Sequence, residues 1–330
     1  MARDGRAPST RAAPLTGSEG NGLARERVSE IQRARVLTAM AEVAGELGAG
    51  DVAVAHVVER AGVSRRTFYE LFEDREACFL AAFERAIVVA EAYVAARYDP
   101  TSDWAQRVRA GLEALLGFFE REPALARLSV VESLGSGAKA RELRRRALGR
   151  LVVSVDAGGV GMNGSSTATA LTAEGVVGGA ASVIHGRLVS GENERLTELV
   201  NPLMSMIVLP YLGPAAARRE LERSPAEPRG RVQAPAPGNP LKDLDMRLTY
   251  RTVRVLAAVA TSPGSSNRVV GDAAGIGDQG QVSKLLTRLE RLGLVENTRA
   301  GSPKPTTNSW ALSKRGREVV DVIATQPAAA

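Results

Sequence analysis

Ser64, Arg65, Arg66, Thr67 and Tyr69 stand together directly after Ala61-Gly62-Val63. A serine hydroxyl can accept from the orphan backbone N–H groups that open a helix. Guanidinium groups pair with phosphate oxygens or with guanine edges, and hydroxyl and phenol groups hydrogen-bond to phosphates and bases. The chemistry of this cluster is recognition of a polyanion rather than the making or breaking of bonds. Elsewhere, groups suited to catalysis are sparse. The chain has two histidines, His56 and His185, and one cysteine, Cys78. His56 adjoins the cationic cluster, and no nucleophile, metal-ligand group or phosphate loop stands near His185, which reads as a ligand contact or a satisfied core residue. A lone cysteine excludes an intrachain disulfide and a cysteine-built zinc site. In the run Ala77-Cys78-Phe79-Leu80, Cys78 reads as a small buried hydrophobe. No enzyme activity, metal or cofactor is expected. Gly159, Gly161 and Gly164 do spell G-x-G-x-x-G after the apolar run Leu151 to Val155. A dinucleotide fingerprint needs that run to be a strand and an acidic residue about 20 positions later. Ser182-Val183-Ile184-His185 offers no acid there, so the glycines are expected to form a helix-helix loop.

The elements that must hold the cationic cluster are legible from apolar spacing. Val54, Val57 and Val58 give one helical face, and Val63, Phe68, Leu71 and Phe72 give a second, hinged at Ala61-Gly62-Val63. Two crossed helices with a glycine in the turn make a helix-turn-helix. A long helix is expected before it, from about Arg25 to Leu47. It would carry Val28, Ile31, Val36, Leu37, Met40, Val43 and Leu47 toward the core and stop at Gly48. Another, from Asp74 to about Tyr98, carries Phe79, Leu80, Phe83, Ile87 and Val94.

The stretch Val54 to Phe79, with the long helix before it, resembles the DNA-binding domain of the tetracycline-repressor (TetR) family of bacterial regulators. Ala61, Gly62, Val63 and Ser64 stand at the family's turn, Thr67, Phe68 and Tyr69 inside its recognition helix, and Arg75 at its next helix. The family usually has Lys at the position of Arg75 and often His at that of Leu71, so the charge is kept and one polar contact is not. The resemblance implies that Val54, Ser64, Arg65, Arg66, Thr67, Tyr69 and Arg75 meet double-stranded DNA at a palindromic operator. It also implies an all-helical body that dimerises and binds a small-molecule effector, and a function as a repressor that the effector releases. A two-fold dimer places two recognition helices about 34 Å apart, one turn of DNA.

From Asp99 to Glu222 the pattern stays helical, with segments at Asp103 to Glu120, after Pro123, Lys139 to Val155, Thr167 to Leu188 and Arg195 to Leu212. Gly175, Gly178 and Gly179 sit inside the fourth of these. Glycine within a helix costs roughly 1 kcal/mol relative to alanine, so close backbone approach is expected there. In the family, helices in this place form the dimer interface, which implicates Gly175, Gly179 and Val183.

The formal charge of +6 is unevenly distributed. Residues 25–76 carry eight basic against ten acidic side chains, whereas 241–330 carry thirteen against eight. The helix-turn-helix is therefore cationic only by position, and the C-terminal region is a second candidate surface for phosphates. Between the two, Pro225, Pro228, Pro235, Pro237 and Pro240 mark an extended linker.

Beyond the linker, helices are expected over Asp245 to Ala260, Arg268 to Ala274 and Gln279 to Leu292. A strand follows at Leu294 to Arg299, then a loop, a strand at Trp310 to Leu312 and a helix from Ser313 to Ile323. Helix, helix-turn-helix, strand, basic loop and strand is the winged-helix order. Leu289 to Val295 and Leu312 to Gly316 resemble the MarR type. That resemblance would direct Gln279, Gln281, Ser283, Lys284 and Arg288 to a major groove, and Arg299 and Lys304 from the wing to the backbone or minor groove. A winged helix can also dock a protein, which would make the chain a co-regulator or architectural protein.

The expected organisation is a mainly α chain: a tail over 1–24, a TetR-like head over 25–98, a ligand and dimer body over 99–222, a linker over 223–241, an α+β winged helix over 242–324 and a tail over 325–330. No run approaches about 18 uninterrupted apolar residues, and Met1 to Gly22 lacks an apolar signal segment, so a cytoplasmic location without membrane contact is expected.

Overall fold

The computed structural model describes residues 18–160, 170–224, 249–298 and 308–325. The chain runs through α1 (Ser18–Leu47), α2 (Val54–Ala61), α3 (Arg65–Leu71), α4 (Arg75–Ala95), α5 (Trp104–Arg121) and α6 (Pro123–Val130). A 3₁₀ turn at Glu132–Leu134 leads to α7 (Gly137–Val160) and α8 (Ala170–Val189). A 3₁₀ segment at Asn193–Leu199 precedes α9 (Val200–Leu221). Then come α10 (Tyr250–Thr261), α11 (Asn267–Ala273), α12 (Gln279–Arg291), β1 (Val295–Asn297), β2 (Trp310–Leu312) and α13 (Lys314–Thr325). The protein is mainly helical, as its periodicity indicates. The apolar run Leu151 to Val155 lies inside α7 together with Gly159. A dinucleotide fingerprint requires a strand there; Gly161 and Gly164 lie outside the described residues.

Side-chain caps set where several helices start. Asp74 Oδ1 accepts from Ala77 N at 2.7 Å, Asp103 Oδ1 from Gln106 N at 2.8 Å, and Ser266 Oγ from Val269 N at 3.4 Å. Each satisfies a donor that the first turn of its helix would otherwise leave orphaned. The helix expected at Arg195 to Leu212 begins instead as a 3₁₀ segment and continues to Leu221, bending at Gly213 beside Pro214. Proline lacks the N–H that a continuous helix would need there.

The contacts divide the chain into two compact units. One comprises residues 37–60 and 72–237. Its interior is built from Phe118 and Leu116 of α5, Leu125 and Leu128 of α6, Ile184 and Leu188 of α8, and Met204 and Val208 of α9. The Tyr93 and Phe118 rings lie 5.3 Å apart, and the Arg121 guanidinium sits 4.8 Å from the Tyr93 ring centre. Arg109, 9% exposed, donates from Nε to Glu220 at 3.0 Å and from Nη1 to Asn201 at 3.0 Å, so this buried charge is paired. The helical segment 195–221 is long and apolar enough by length and composition to cross a membrane. Val200, Leu203, Met204, Ile207 and Val208 are nevertheless buried at i, i+3, i+4, i+7, i+8 spacing, the pattern of a core helix.

The other unit comprises residues 1–36, 61–71 and 238–330. Its core holds Val253, Leu256 and Val259 of α10, Val270 of α11, Val282, Leu286 and Leu289 of α12, and Trp310 and Leu312 of β2. The strands pair antiparallel, with Val295 opposite Leu312 and Asn297 opposite Trp310. Strand β1 is shorter than the alternation at Leu294 to Arg299 suggests. Arg299, Lys304 and the proline-rich linker lie outside the described residues. Val28 and Ile31 of α1 are buried in this same core. Their apolar spacing was expected to serve the helix-turn-helix; periodicity reveals that a face is buried, not what buries it. Leu47, expected in the core, is 45% exposed at the end of α1.

Candidate nucleic-acid interface

Gly62, between α2 and α3, has φ +63°, a left-handed conformation that disfavours side chains with a Cβ. Ser64 follows, and its Oγ accepts from Thr67 N at 3.0 Å while lying 2.9 Å from Thr67 Oγ1. The cap expected from sequence is thus in place, and it draws Thr67 inward: Ser64 and Thr67 are half-buried. Phe68 is fully buried and Tyr69 is 59% exposed, their rings edge to face at 5.4 Å. Arg65 and Arg66 are exposed, so α3 shows solvent two guanidinium groups and a phenol over an aromatic anchor.

Arg66 is held by its own helix. Its Nε donates to Glu70 Oε1 at 2.8 Å, an i,i+4 pair, and this bond raises its pKa. Arg75 occupies a different setting from the open phosphate contact that the resemblance implies. Its Nη1 donates to the carbonyls of Ala49, Gly50 and Val52 at 2.9, 3.1 and 3.0 Å. It therefore clamps the loop between α1 and α2. Val54 opens α2 half-buried, and exposed His56 accepts from Ala53 N at 3.3 Å through Nδ1, as a local cap. Arg60 is tied to Glu46 at 2.7 Å and Glu42 at 3.3 Å.

A second turn has the same local design. Gly275, with φ +60°, precedes α12, and a Cβ there would run into the Arg254 guanidinium. Asp278 caps α12 by accepting from Gly280 N at 2.8 Å and Gln281 N at 3.2 Å, and these backbone bonds hold its carboxyl below the usual range. Gln279, Gln281, Lys284 and Arg288 are exposed, and Ser283 is half-buried. Gln281 is also braced from two sides, donating from Nε2 to Asp278 at 3.0 Å and accepting from Arg251 at 3.1 Å. Sequence reasoning missed Arg251; its place six residues into the helix expected from Asp245 carried no motif.

On α8, Gly175 and Gly178 have open space where a Cβ would project, whereas a Cβ on Gly179 would lie 3.7 Å from Met206 Sδ of α9. Val183 is 41% and Leu171 74% exposed. The Met206 distance is an ordinary contact, so close approach within the chain requires glycine at none of the three.

A residue absent from the sequence reading joins the end of α1 to the helices behind it. Arg127 on α6 donates to Gly45 O at 3.2 Å and Leu188 O at 2.8 Å, and Glu132 Oε2 accepts from Ala49 N at 2.8 Å.

With helix, left-handed glycine, serine cap and exposed cations in series, residues 54–71 form a helix-turn-helix. Residues 36–82 match the family described as bacterial regulatory proteins, tetR family, so the chain carries a TetR-family N-terminal domain. No curated protein matches the chain. Among solved structures it is similar to the fatty acid degradation regulator FadR from Bacillus halodurans, at 18% identity and TM-score 0.48, over 53% of this chain and 94% of that one. FadR from Bacillus subtilis in complex with stearoyl-CoA is 17% identical with TM-score 0.45, over 54% and 97%. The tetR regulator tylp from Streptomyces fradiae is 21% identical with TM-score 0.43, over 57% and 90%.

Proposed function

We propose that this chain is a homodimeric, sequence-specific DNA-binding transcriptional regulator, a repressor released when a small molecule binds its helical body. The single observation that carries this reading is α3: a capped helix, anchored by buried Phe68, that exposes Arg65, Arg66 and Tyr69 within the segment matching the family. These side chains would meet base edges and phosphates in the major groove. The open face of α8 around Leu171, Gly175, Gly178 and Val183 supports a dimer through that helix, which gives the operator its palindromic symmetry. The effector acts as a population shift: it favours an arrangement in which the two heads no longer match the spacing of the half-sites. Arg127 and Glu132 join the head's loop to α6 and α8, a path for that shift. Nothing in this mechanism requires a catalytic group, cofactor or membrane, which fits a cytoplasmic protein.

Gel-shift and footprinting on DNA upstream of the chain's own gene test the proposal. A palindromic protected site is expected, lost or weakened by Arg66→Ala and by Tyr69→Ala with the dimer intact. Absence of sequence-specific binding at moderate salt would overturn it.

A further inference from the structure

The N-terminal part of α1 belongs to two structures at once. Val28 and Ile31, 4% and 2% exposed, are buried with Val253, Leu256, Val282, Leu286 and Trp310 in the core of the C-terminal domain. One turn earlier, the Arg25 guanidinium lies 5.1 Å from the centre of the Tyr250 ring, and the Arg254 guanidinium lies 5.5 Å from the same ring. A guanidinium over an aromatic face is attractive at this distance. Farther along the helix, Arg33 Nη1 reaches the carbonyl of Leu71, the last residue of α3, at 3.5 Å. Val28 and Arg33 are five residues apart, roughly 8 Å along a helix axis. That is short beside the roughly 34 Å of one DNA turn.

We propose that the start of α1 is a clasp that fastens the C-terminal domain beside the recognition helix, so that α3 and α12 of one subunit read adjoining stretches of the same DNA. With the clasp closed, Arg65, Arg66 and Tyr69 of α3 are exposed, and so are Gln279, Gln281, Lys284 and Arg288 of α12. The docked domain therefore does not cover the face that it stands beside. Charge gives the arrangement a purpose. Residues 25–76 hold eight basic and ten acidic side chains, and residues 241–330 hold thirteen and eight. Phosphate neutralisation supplies much of the affinity for DNA, so the clasp gives an acidic head a basic companion. Each half-site would then contain two elements: one read by α3 and a flank read by α12.

This inference rests on the DNA-binding reading above, and the experiment separates the two. The full-length chain selects duplexes from a random pool, and the enriched duplex is footprinted with hydroxyl radicals. Wild-type protein should protect a core and a flank in each half-site. Val28→Asp combined with Ile31→Asp should open the clasp, abolishing flank protection and weakening binding roughly tenfold while the core stays protected. Hydrogen exchange on the same variant, without DNA, should rise over residues 250–259 and stay slow over 37–44; equal protection of 250–259 in wild type and variant would overturn the clasp. Lys284→Ala combined with Arg288→Ala should erase the flank and lower the slope of log affinity against log salt by about 1 to 2. A flank that survives both pairs of substitutions, or wild-type protection confined to the core, would overturn the two-reader inference and leave the C-terminal domain as a protein-docking module. Failure of the pool to yield any enriched duplex would overturn the DNA-binding reading itself.

Discussion

Replacing Arg127 by methionine removes the charge that ties the end of α1 to α6 and α8, while keeping most of the apolar stem. Arg127 donates to Gly45 O at 3.2 Å and to Leu188 O at 2.8 Å, and lies 4.0 Å from Glu132. Both carbonyls sit in the last turn of a helix, where few backbone donors remain and the helix dipole favours a cation. Two hydrogen bonds to a charged donor contribute about 1.5–3 kcal/mol each. The side chain is 29% exposed, so water replaces part of each bond, and an ion pair at that separation adds less than about 1 kcal/mol. The expected loss is therefore about 3 kcal/mol. For a unit of this size it corresponds to a fall in Tm of roughly 6–12 °C. Urea denaturation of the full-length chain, followed by circular dichroism, measures it, with Arg127→Lys expected to recover less than half because lysine cannot span both carbonyls in one plane. A loss below about 0.5 kcal/mol would refute the argument that these two bonds hold the helix ends together.

Gly316→Ala would drive a Cβ into Leu294 O, a backbone atom that cannot step aside. It should destabilise the C-terminal domain by about 3 kcal/mol, visible in calorimetry as an earlier, separate transition. Glu70→Ala should release Arg66 from its 2.8 Å bond and remove a negative charge from the DNA-facing side. Fluorescence anisotropy on the operator should show affinity rising roughly two- to fivefold at low salt, with the gain shrinking as salt increases. Asp278 has a depressed folded pKa, so its cap supports α12 above the unfolded value near 3.8 and loses that support as pH falls through the lower folded value. Amide exchange at Gly280 and Gln281 should accelerate in that acidic window in wild type, and Asp278→Asn should show no such step.

The local chemistry of α3 was readable because it is encoded within a few residues. Ser64 directly after the turn specifies a cap, and Gly62 supplies the left-handed turn. Trp310 to Leu312 was legible as a strand for the same reason. Contacts between distant segments were not. The family position of Arg75 suggests an outward phosphate contact, whereas its three carbonyl acceptors belong to a loop that precedes it by more than twenty residues. Arg127 sits in an ordinary amphipathic helix, and nothing in its neighbours signals the ends of α1 and α8. The apolar pair Val28 and Ile31 showed that α1 buries a face there, but the partner of that face lies at the other end of the chain.

That distance has a consequence for biosynthesis. Chains emerge from the ribosome N-terminus first, and early domains fold as they appear. The beginning of α1 is made more than 200 residues ahead of Val253 and Trp310, so Val28 and Ile31 find their covering only when those residues have followed. Contacts this far apart in sequence close slowly. During translation the helix-turn-helix can therefore form while the front of α1 still shows bare valine and isoleucine, a surface open to a chaperone until α10 to α13 arrive.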